Sequence, residues 1–322
     1  MRVLDALTRG DGNCFSVEIE PPSLGQSLAD LFELTDPLVE RGIRYIDITY
    51  HAEHIVGYVT HYGQQFPVSQ RKKPGTAGVA GAIRERYKHR GVEPVPHVIC
   101  TGFTQYATEE YLVELAFLGI ENVVALRGDG PKGPDGQSLP FIPTVGGHAY
   151  ADGLIKQIVN LGKGIYASAH EGHPLAFCIG AACYPEGYST ATAWDKELEW
   201  LKVKVEAGAD YLVTQMFFAN EAYWRFVERA HQVGINVPIV PGIKPLTTLK
   251  HLEVLPQVFG CALPETLVKR IDKHCENRDD IRKVGIDWSV EQCVALRASG
   301  VPSLHFYAAR RSPVKEIIEQ LL

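Results

Sequence analysis

Apolar residues along the chain alternate between two patterns: stretches with the period of a helix, about 3.6 residues, and short unbroken apolar runs of the kind that form buried strands. Five times a helical pattern stops at a glycine and an apolar run follows. Gly42 precedes Tyr45-Ile46-Asp47-Ile48-Thr49, Gly119 precedes Asn122 to Leu126, and Gly208 precedes Tyr211 to Thr214. Gly234 precedes Pro238-Ile239-Val240, and Gly300 precedes Ser303-Leu304-His305-Phe306. Glycine accepts the left-handed residue that ends a helix. Helical spacing is carried by Leu28, Leu31, Phe32, Leu38 and Val39, by Tyr111, Leu112, Leu115 and Leu118, and by Tyr223, Phe226, Val227 and Ala230. Thr108 before Glu109 and Glu110, and the capping-box pattern Ser289-Val290-Glu291-Gln292, mark helix starts.

Further apolar runs at Cys14 to Glu20, Val95 to Cys100 and Phe177 to Ala182 bring the count to eight strands, most separated by helices. That is the count of a (β/α)8 TIM barrel, an α/β fold, expected here as a single domain over 1–322. Residues 51–94 and 130–148 break the periodicity with Pro, Gly and charged residues. Both follow strand carboxyl ends, so both are expected to be long loops over the active face and are candidate lid or ligand-contact segments, the first reading equally as an insertion without function.

Composition adds limits rather than a function. The chain has 322 residues, 45% hydrophobic and 22% charged, which suits a soluble globular protein. Its start turns polar too soon for a signal peptide and no apolar run reaches a membrane span, so a cytoplasmic location is expected. Seven scattered cysteines without a C-x-x-C pair read as buried thiols. A net charge of -6 argues against nucleic-acid binding, and the basic run Arg84 to Arg90 reads as a solvated helix face.

The chemistry gathers where the strands end. Asn122-Val123-Val124-Ala125-Leu126-Arg127-Gly128-Asp129 is a buried strand that runs into an Arg, a Gly and an acid, so Asp129 is a candidate site carboxylate. In Phe15-Ser16-Val17-Glu18-Ile19-Glu20 the period of two puts Ser16, Glu18 and Glu20 on one face. Desolvation and mutual repulsion would raise the pKa of one of the two acids and favour general-acid chemistry. Other strands end in Thr49-Tyr50-His51-Ala52, Tyr184-Pro185-Glu186 and Thr214-Gln215-Met216-Phe217-Phe218, and one begins Pro96-His97. Hydroxyls, an imidazole, an amide and aromatic faces at successive strand ends suit a planar polar heteroaromatic ligand.

Three sharper patterns are set aside. Gly128 to Gly133 matches G-x-G-x-x-G, but the prolines that follow predict a loop, not the helix a pyrophosphate needs. His51-Ala52-Glu53-His54 and His170-Glu171-Gly172-His173 have metal-like spacing without helical pattern or further ligands, so no metal is expected. Lys244, between Gly242-Ile243 and Pro245, reads as a solvated turn lysine rather than a Schiff-base lysine.

Nine collinear motifs carry a family resemblance from about Phe15 to Arg311. They are Val17 to Pro22, Asp47 to Tyr50, Pro96-His97, Ala125 to Asp129, Tyr184 to Glu186, Lys204 to Ala209, Thr214 to Phe218, Pro241 to Ile243 and Leu304 to Tyr307. In these the chain resembles bacterial methylenetetrahydrofolate reductases, flavin-dependent barrel enzymes of one-carbon metabolism and methionine synthesis. The resemblance implies a ping-pong reaction in which NADH or NADPH reduces FAD and 5,10-methylenetetrahydrofolate then receives the hydride. It implies Glu18 as general acid, Asp129 beside flavin and pterin, and Gln215 on folate and nicotinamide as the catalytic set. Phe217, His251, Tyr307 and Arg311 join Glu18 and Gln215 on the substrate side. Cofactor contacts fall on Thr49, Tyr50, Ala52, His97, Arg127, Gly128, Asp129, Tyr150, Ala151, Tyr184, Tyr188, Ala191, Glu197, Trp200 and Lys204.

Departures from the pattern cluster on the phosphate side of the flavin: Tyr188 replaces a histidine, Glu197 an aspartate, Trp200 an asparagine and Val203 an arginine, while Glu20 replaces a Phe near the general acid. The alternatives are direct hydride transfer from nicotinamide to folate without flavin, and a non-catalytic folate-binding protein. The resemblance accounts for the chain to its end, so no separate regulatory domain is expected, and a homo-oligomer is.

Overall fold

The computed structural model of the protein describes residues 1–9, 14–168, 171–187, 194–274, 277–308 and 312–322. Its strands are β1 (Phe15–Ile19), β2 (Ile43–Ile48), β3 (His54–His61), β4 (Gln64–Gln70), β5 (Glu93–Ile99), β6 (Asn122–Leu126), β7 (Cys178–Cys183), β8 (Tyr211–Thr214), β9 (Ile239–Val240), β10 (Gly242–Ile243) and β11 (Leu304–Tyr307). Its helices are α1 (Val3–Arg9), α2 (Leu28–Val39), α3 (Thr76–Tyr87), α4 (Gln105–Phe117), α5 (Ala151–Leu161), α6 (Trp194–Glu206), α7 (Asn220–Gln232), α8 (Lys250–Phe259), α9 (Glu265–His274), α10 (Arg278–Ala298) and α11 (Val314–Leu321).

Nine strands form one sheet in the order β10-β11-β1-β2-β5-β6-β7-β8-β9, and β3 pairs with β4 alone. The fold is an α/β barrel. β9 pairs with β8 and β10 with β11, both in parallel, so 239–243 behaves as one strand broken at Pro241, which lacks the N–H a continuous ladder needs. Counted this way the strands are the eight the apolar runs predict. All five predicted stop glycines are left-handed: Gly42 at φ 92°, Gly119 at 71°, Gly208 at 118°, Gly234 at 85° and Gly300 at 80°.

Contacts divide the chain into two compact units, residues 1–19, 33–46 and 180–322 in the first and 20–32 and 47–179 in the second. In the first, Phe15 packs on Phe306 with ring centroids 6.1 Å apart, and Phe217 stacks on Tyr223 at 5.7 Å. Trp288 on α10 donates its indole N–H to the Phe218 carbonyl at 3.0 Å, which ties the long helix to the end of β8. In the second, Tyr50, Phe103 and Tyr111 form an aromatic trio, Tyr50 meeting the other two edge-on at 5.3 and 5.6 Å. The six described cysteines, Cys14, Cys100, Cys178, Cys183, Cys261 and Cys293, are buried thiols, as expected.

Two helix starts differ from the sequence reading. The cap of α4 is Thr104, whose side chain accepts from the Ala107 N–H at 3.1 Å; Thr108 lies a turn inside and is buried. The cap of α10 is Asn277, accepting from the Asp279 and Asp280 N–H groups at 2.9 and 3.1 Å. Ser289 sits mid-helix and turns its hydroxyl back onto the Gly285 carbonyl at 2.8 Å, the local bond that lets serine mimic a start signal.

The first of the two expected long loops is ordered chain. Residues 51–94 hold the antiparallel β3–β4 ribbon and α3, while 130–148 has only isolated bridges, at Lys132 and Ser138. Lys132 runs beside His54, and its carbonyl accepts the Ile55 N–H at 2.8 Å, which covers one edge of the ribbon. The polar run Gln64-Gln65 and the proline in β4 hid this ribbon from a reading that looks for apolar periodicity.

Candidate active site

In the first unit, β1 turns Ser16 and Glu18 to the same face. The Ser16 hydroxyl is 2.8 Å from His305 Nδ1, and Glu18 is half-buried, opposite Tyr307 in the β1–β11 register. Tyr307 is anchored through its hydroxyl, which donates to the Thr214 carbonyl at 2.7 Å, and its ring meets His305 edge-on. Gly242 has to be glycine, since a Cβ there would come within 2.3 Å of the Thr214 carbonyl oxygen and 2.6 Å of the Tyr307 ring. The Gln215 carboxamide oxygen accepts the Met216 N–H at 2.9 Å, which fixes the side chain just past β8.

Other residues of this unit depart from expectation. Lys244 is half-buried, not a solvated turn lysine, and donates to the Tyr307 carbonyl at 3.2 Å. Phe217 is fully buried against Tyr223, inside the core rather than at a ligand surface. His251 accepts the Thr247 N–H at 3.2 Å, and burial followed by Lys244 holds its pKa below the ordinary value.

On α6 of the same unit, Lys204 donates to the Ala182 carbonyl at 2.9 Å and lies 5.9 Å from the Tyr184 ring centroid. Glu197 is 2% exposed, and its Oε1 has no hydrogen-bond partner among the described residues. Burial raises its pKa, partly offset by Lys204. A buried carboxyl oxygen left unsatisfied is costly unless something fills its valence, so this is a place that fits a hydroxyl-bearing ligand. Trp200 is half exposed, while Tyr188, Ala191 and Arg311 lie outside the described residues.

In the second unit, the Arg127-Gly128-Asp129 turn is held by a residue the sequence reading missed. The Thr101 hydroxyl bridges the Asp129 and Arg127 carbonyls at 2.8 and 3.2 Å. Gly128, at φ 80°, leaves room for it, because a Cβ would lie 2.7 Å from that hydroxyl oxygen. Asp129 is exposed and Arg127 lies over the Phe141 ring at 5.1 Å. Thr49 Oγ1 is 3.0 Å from His51 Nε2, Ala52 is half-buried, and Ala151 opens α5 after the exposed Tyr150. No helix follows Gly128 to Gly133, which removes the dinucleotide-fingerprint reading. Glu20 sits at a rim, mostly exposed, with Lys73 2.6 Å away. The expected pair of interior acids therefore reduces to Glu18 alone.

His97 is 6% exposed, and burial, with His51 adding to it, pushes its pKa down from 6.5 to about 3. The folded chain keeps it neutral while the unfolded chain takes up a proton below its ordinary pKa. Its contribution to stability is fully present above pH 6.5 and is lost as the pH falls toward 3. From about pH 6.5 to about pH 4.5 the loss is about 2–3 kcal/mol. His97→Gln is expected to flatten that part of the stability curve, read from urea midpoints at the two pH values.

The fold is an α/β barrel with polar groups at its strand ends. The family model for methylenetetrahydrofolate reductase matches residues 3–322, and the chain belongs to that family. A relative from Zea mays, methylenetetrahydrofolate reductase (NADH) 1, is 31% identical over 95% of this chain and 48% of its own length. The 5,10-methylenetetrahydrofolate reductase of Pectobacterium carotovorum subsp. carotovorum is 27% identical over 94% of this chain and 88% of its own. The chain thus spans about half the length of the plant relatives it matches. A solved Clostridium thermocellum protein that binds two copies of 5-methyl-5,6,7,8-tetrahydrofolic acid has the same fold, with a TM-score of 0.60 at 16% identity over 98% of this chain and 96% of that one. Among the described residues no helix is long and apolar enough to cross a membrane.

Proposed function

We propose that this chain reduces 5,10-methylenetetrahydrofolate to 5-methyltetrahydrofolate with NADH or NADPH, through bound FAD, in one catalytic domain over 1–322. Membership of the reductase family across residues 3–322 carries this reading. FAD, when bound, supplies a carrier that takes a hydride from the nicotinamide and gives it to the folate. Glu197 Oε1, without a hydrogen-bond partner among the described residues, and the Lys204 ammonium on α6 support such a group, since a ribose hydroxyl can donate to the one and a phosphate accept from the other. Thr49, Tyr50, Ala52, His97, Arg127, Gly128, Asp129, Tyr150, Ala151, Tyr184, Tyr188, Ala191 and Trp200 would complete its binding.

Glu18 is the general acid. It gives its proton to the folate nitrogen that leaves the methylene carbon, so that the five-membered ring opens to an iminium whose carbon accepts the hydride. The proton and the hydride together make the product's methyl group and its secondary amine. Gln215, its carboxamide oxygen held by Met216, keeps the amide N–H groups for the substrate, and Asp129 accepts from the pterin. Tyr307, His251, Phe217 and Arg311 are the remaining substrate-side positions. Phe217 serves from inside the core, by supporting Gln215 next to it. A cytoplasmic homo-oligomer belongs to the same reading; the large apolar side chains exposed on β3 and β4, among them Tyr58, Val59 and Phe66, support association.

The test is a visible spectrum after incubation with FAD and removal of the excess, taken without oxygen before and after NADH. Retained flavin that bleaches with NADH and recolours with 5,10-methylenetetrahydrofolate is expected. Protein that keeps no flavin yet turns over folate would replace this reading by direct transfer from the nicotinamide.

A further inference from the structure

A cleft of about 120 Å³ opens where β2 ends, lined by Thr49, Tyr50, His51, Arg71, Lys72 and Lys73 among others. Three of its lining side chains are cations and none is an acid. The chain enters it from β4 and leaves it as α3, and the turn is pinned by the Leu24 N–H, which donates to the Lys72 carbonyl at 3.0 Å. Lys73 is held by Glu20 at 2.6 Å and Arg71 by Glu53 at 3.4 Å, whereas among the described residues Lys72 reaches only the neutral Gln70 amide, at 2.7 Å. Two acids therefore offset two of three cations, and one positive charge is in surplus. The α3 helix begins at this cleft with Gly75 as its cap and no side-chain hydrogen bond to its first N–H groups. Those groups add the positive end of a helix dipole to the cations.

Size decides what fits. At about 120 Å³ the cleft has room for one phosphoryl-sized anion and is far below the several hundred Å³ of a whole-ligand pocket. A small cationic cleft of this kind takes the charged part of a larger molecule whose flat part lies elsewhere. Arg71 adds the forked donor geometry that matches phosphate oxygens, and Lys72 a mobile point charge.

We propose that this cleft is an anion site that seats one phosphoryl group of a dinucleotide. The assignment rests on the reading of the chain as a dinucleotide-using reductase. It also gives a role to the departure at Glu20, which holds Lys73 in line with the cleft.

The test compares wild type with the Arg71→Gln/Lys72→Gln double variant, with matched melting temperatures as the folding control. Sodium pyrophosphate is titrated at constant ionic strength by calorimetry. Wild type is expected to bind it, and the double variant at least tenfold more weakly, with Arg71→Lys/Lys72→Arg restoring most of the loss. Flavin retention and the KM values for NADH and for the folate are then measured on the same proteins. A raised KM for NADH places the phosphoryl group on the reductant, and reduced flavin retention places it on the flavin; either supports the site. No pyrophosphate binding, or an effect confined to the KM of the folate and graded with its number of glutamyl carboxylates, overturns it. Pyrophosphate binding in a protein without reductase activity would leave the anion site standing and remove the functional reading instead.

Discussion

Turnover of 5,10-methylenetetrahydrofolate is expected to fall by about 10²–10⁴-fold in Glu18→Gln, the usual loss when a positioned general acid is removed. Glutamine keeps the shape and most of the packing of Glu18 but has no proton of suitable acidity to give. The backbone around it should hold, because the Glu18 carbonyl still accepts the Ala308 N–H at 3.1 Å and the register against Tyr307 is set by main-chain bonds. Hydride removal from NADH calls on no proton from Glu18. NADH oxidation with an artificial electron acceptor should therefore stay near wild type while folate reduction collapses. Glu20→Gln is the comparison: exposed and paired to Lys73 at the cleft, Glu20 should change the KM for NADH at most and leave the rate of folate reduction at saturating NADH near wild type. Folate reduction that survives in Glu18→Gln with its rate intact would move the general acid to another residue.

Gly285→Ala is expected to destabilise the protein, although the same change inside an ordinary helix gains up to about 1 kcal/mol. Gly285 lies on α10 where the Leu246 main chain crosses, and a Cβ would stand 1.6 Å from the Leu246 carbonyl oxygen. That neighbour is backbone, held by a core cluster with Leu255, Leu267 and Ile271, and cannot turn aside as a side chain would. The helix has to shift, at a cost of about 1–3 kcal/mol or more for overpacking. At about 2–4 °C per kcal/mol for a chain of this size, the melting point should fall by several degrees. Gly78 on α3 supplies the contrast, since nothing lies within 4 Å of the Cβ it would gain. Gly78→Ala should hold or raise the melting point. Two equal rises would mean that helix propensity, not the Leu246 contact, governs the effect.

What could be read from the chain alone depended on how far each signal reaches. Strand runs and stop glycines are set within a few residues, so the eight strands and five left-handed glycines were legible, and so was the polar character of their ends. Caps were less so. Thr108 and Ser289 have the residue types of helix starts, yet the helices begin at Gln105 and Arg278, because packing extends a helix through any local start signal that the core can bury. The β3–β4 ribbon escaped notice because its strands are exposed on both faces and lack the one-sided pattern that burial imposes.

The sequence by itself determined the order of the eight barrel strands, the barrel class and the residue types at the strand ends, since these follow from periodicity and from backbone conformations that glycine accepts most readily. Only the tertiary structure decided which of those residues stand exposed, buried or paired. It set Glu20 at a rim with Lys73, drew Lys244 onto the Tyr307 carbonyl, left Glu197 Oε1 buried without a partner among the described residues, and brought the Arg71-Lys72-Lys73 run against Thr49, Tyr50 and His51 in one cleft. The physical reason is range. A strand's pattern is written in neighbouring residues, whereas desolvation and charge depend on what the rest of the chain brings within a few ångströms.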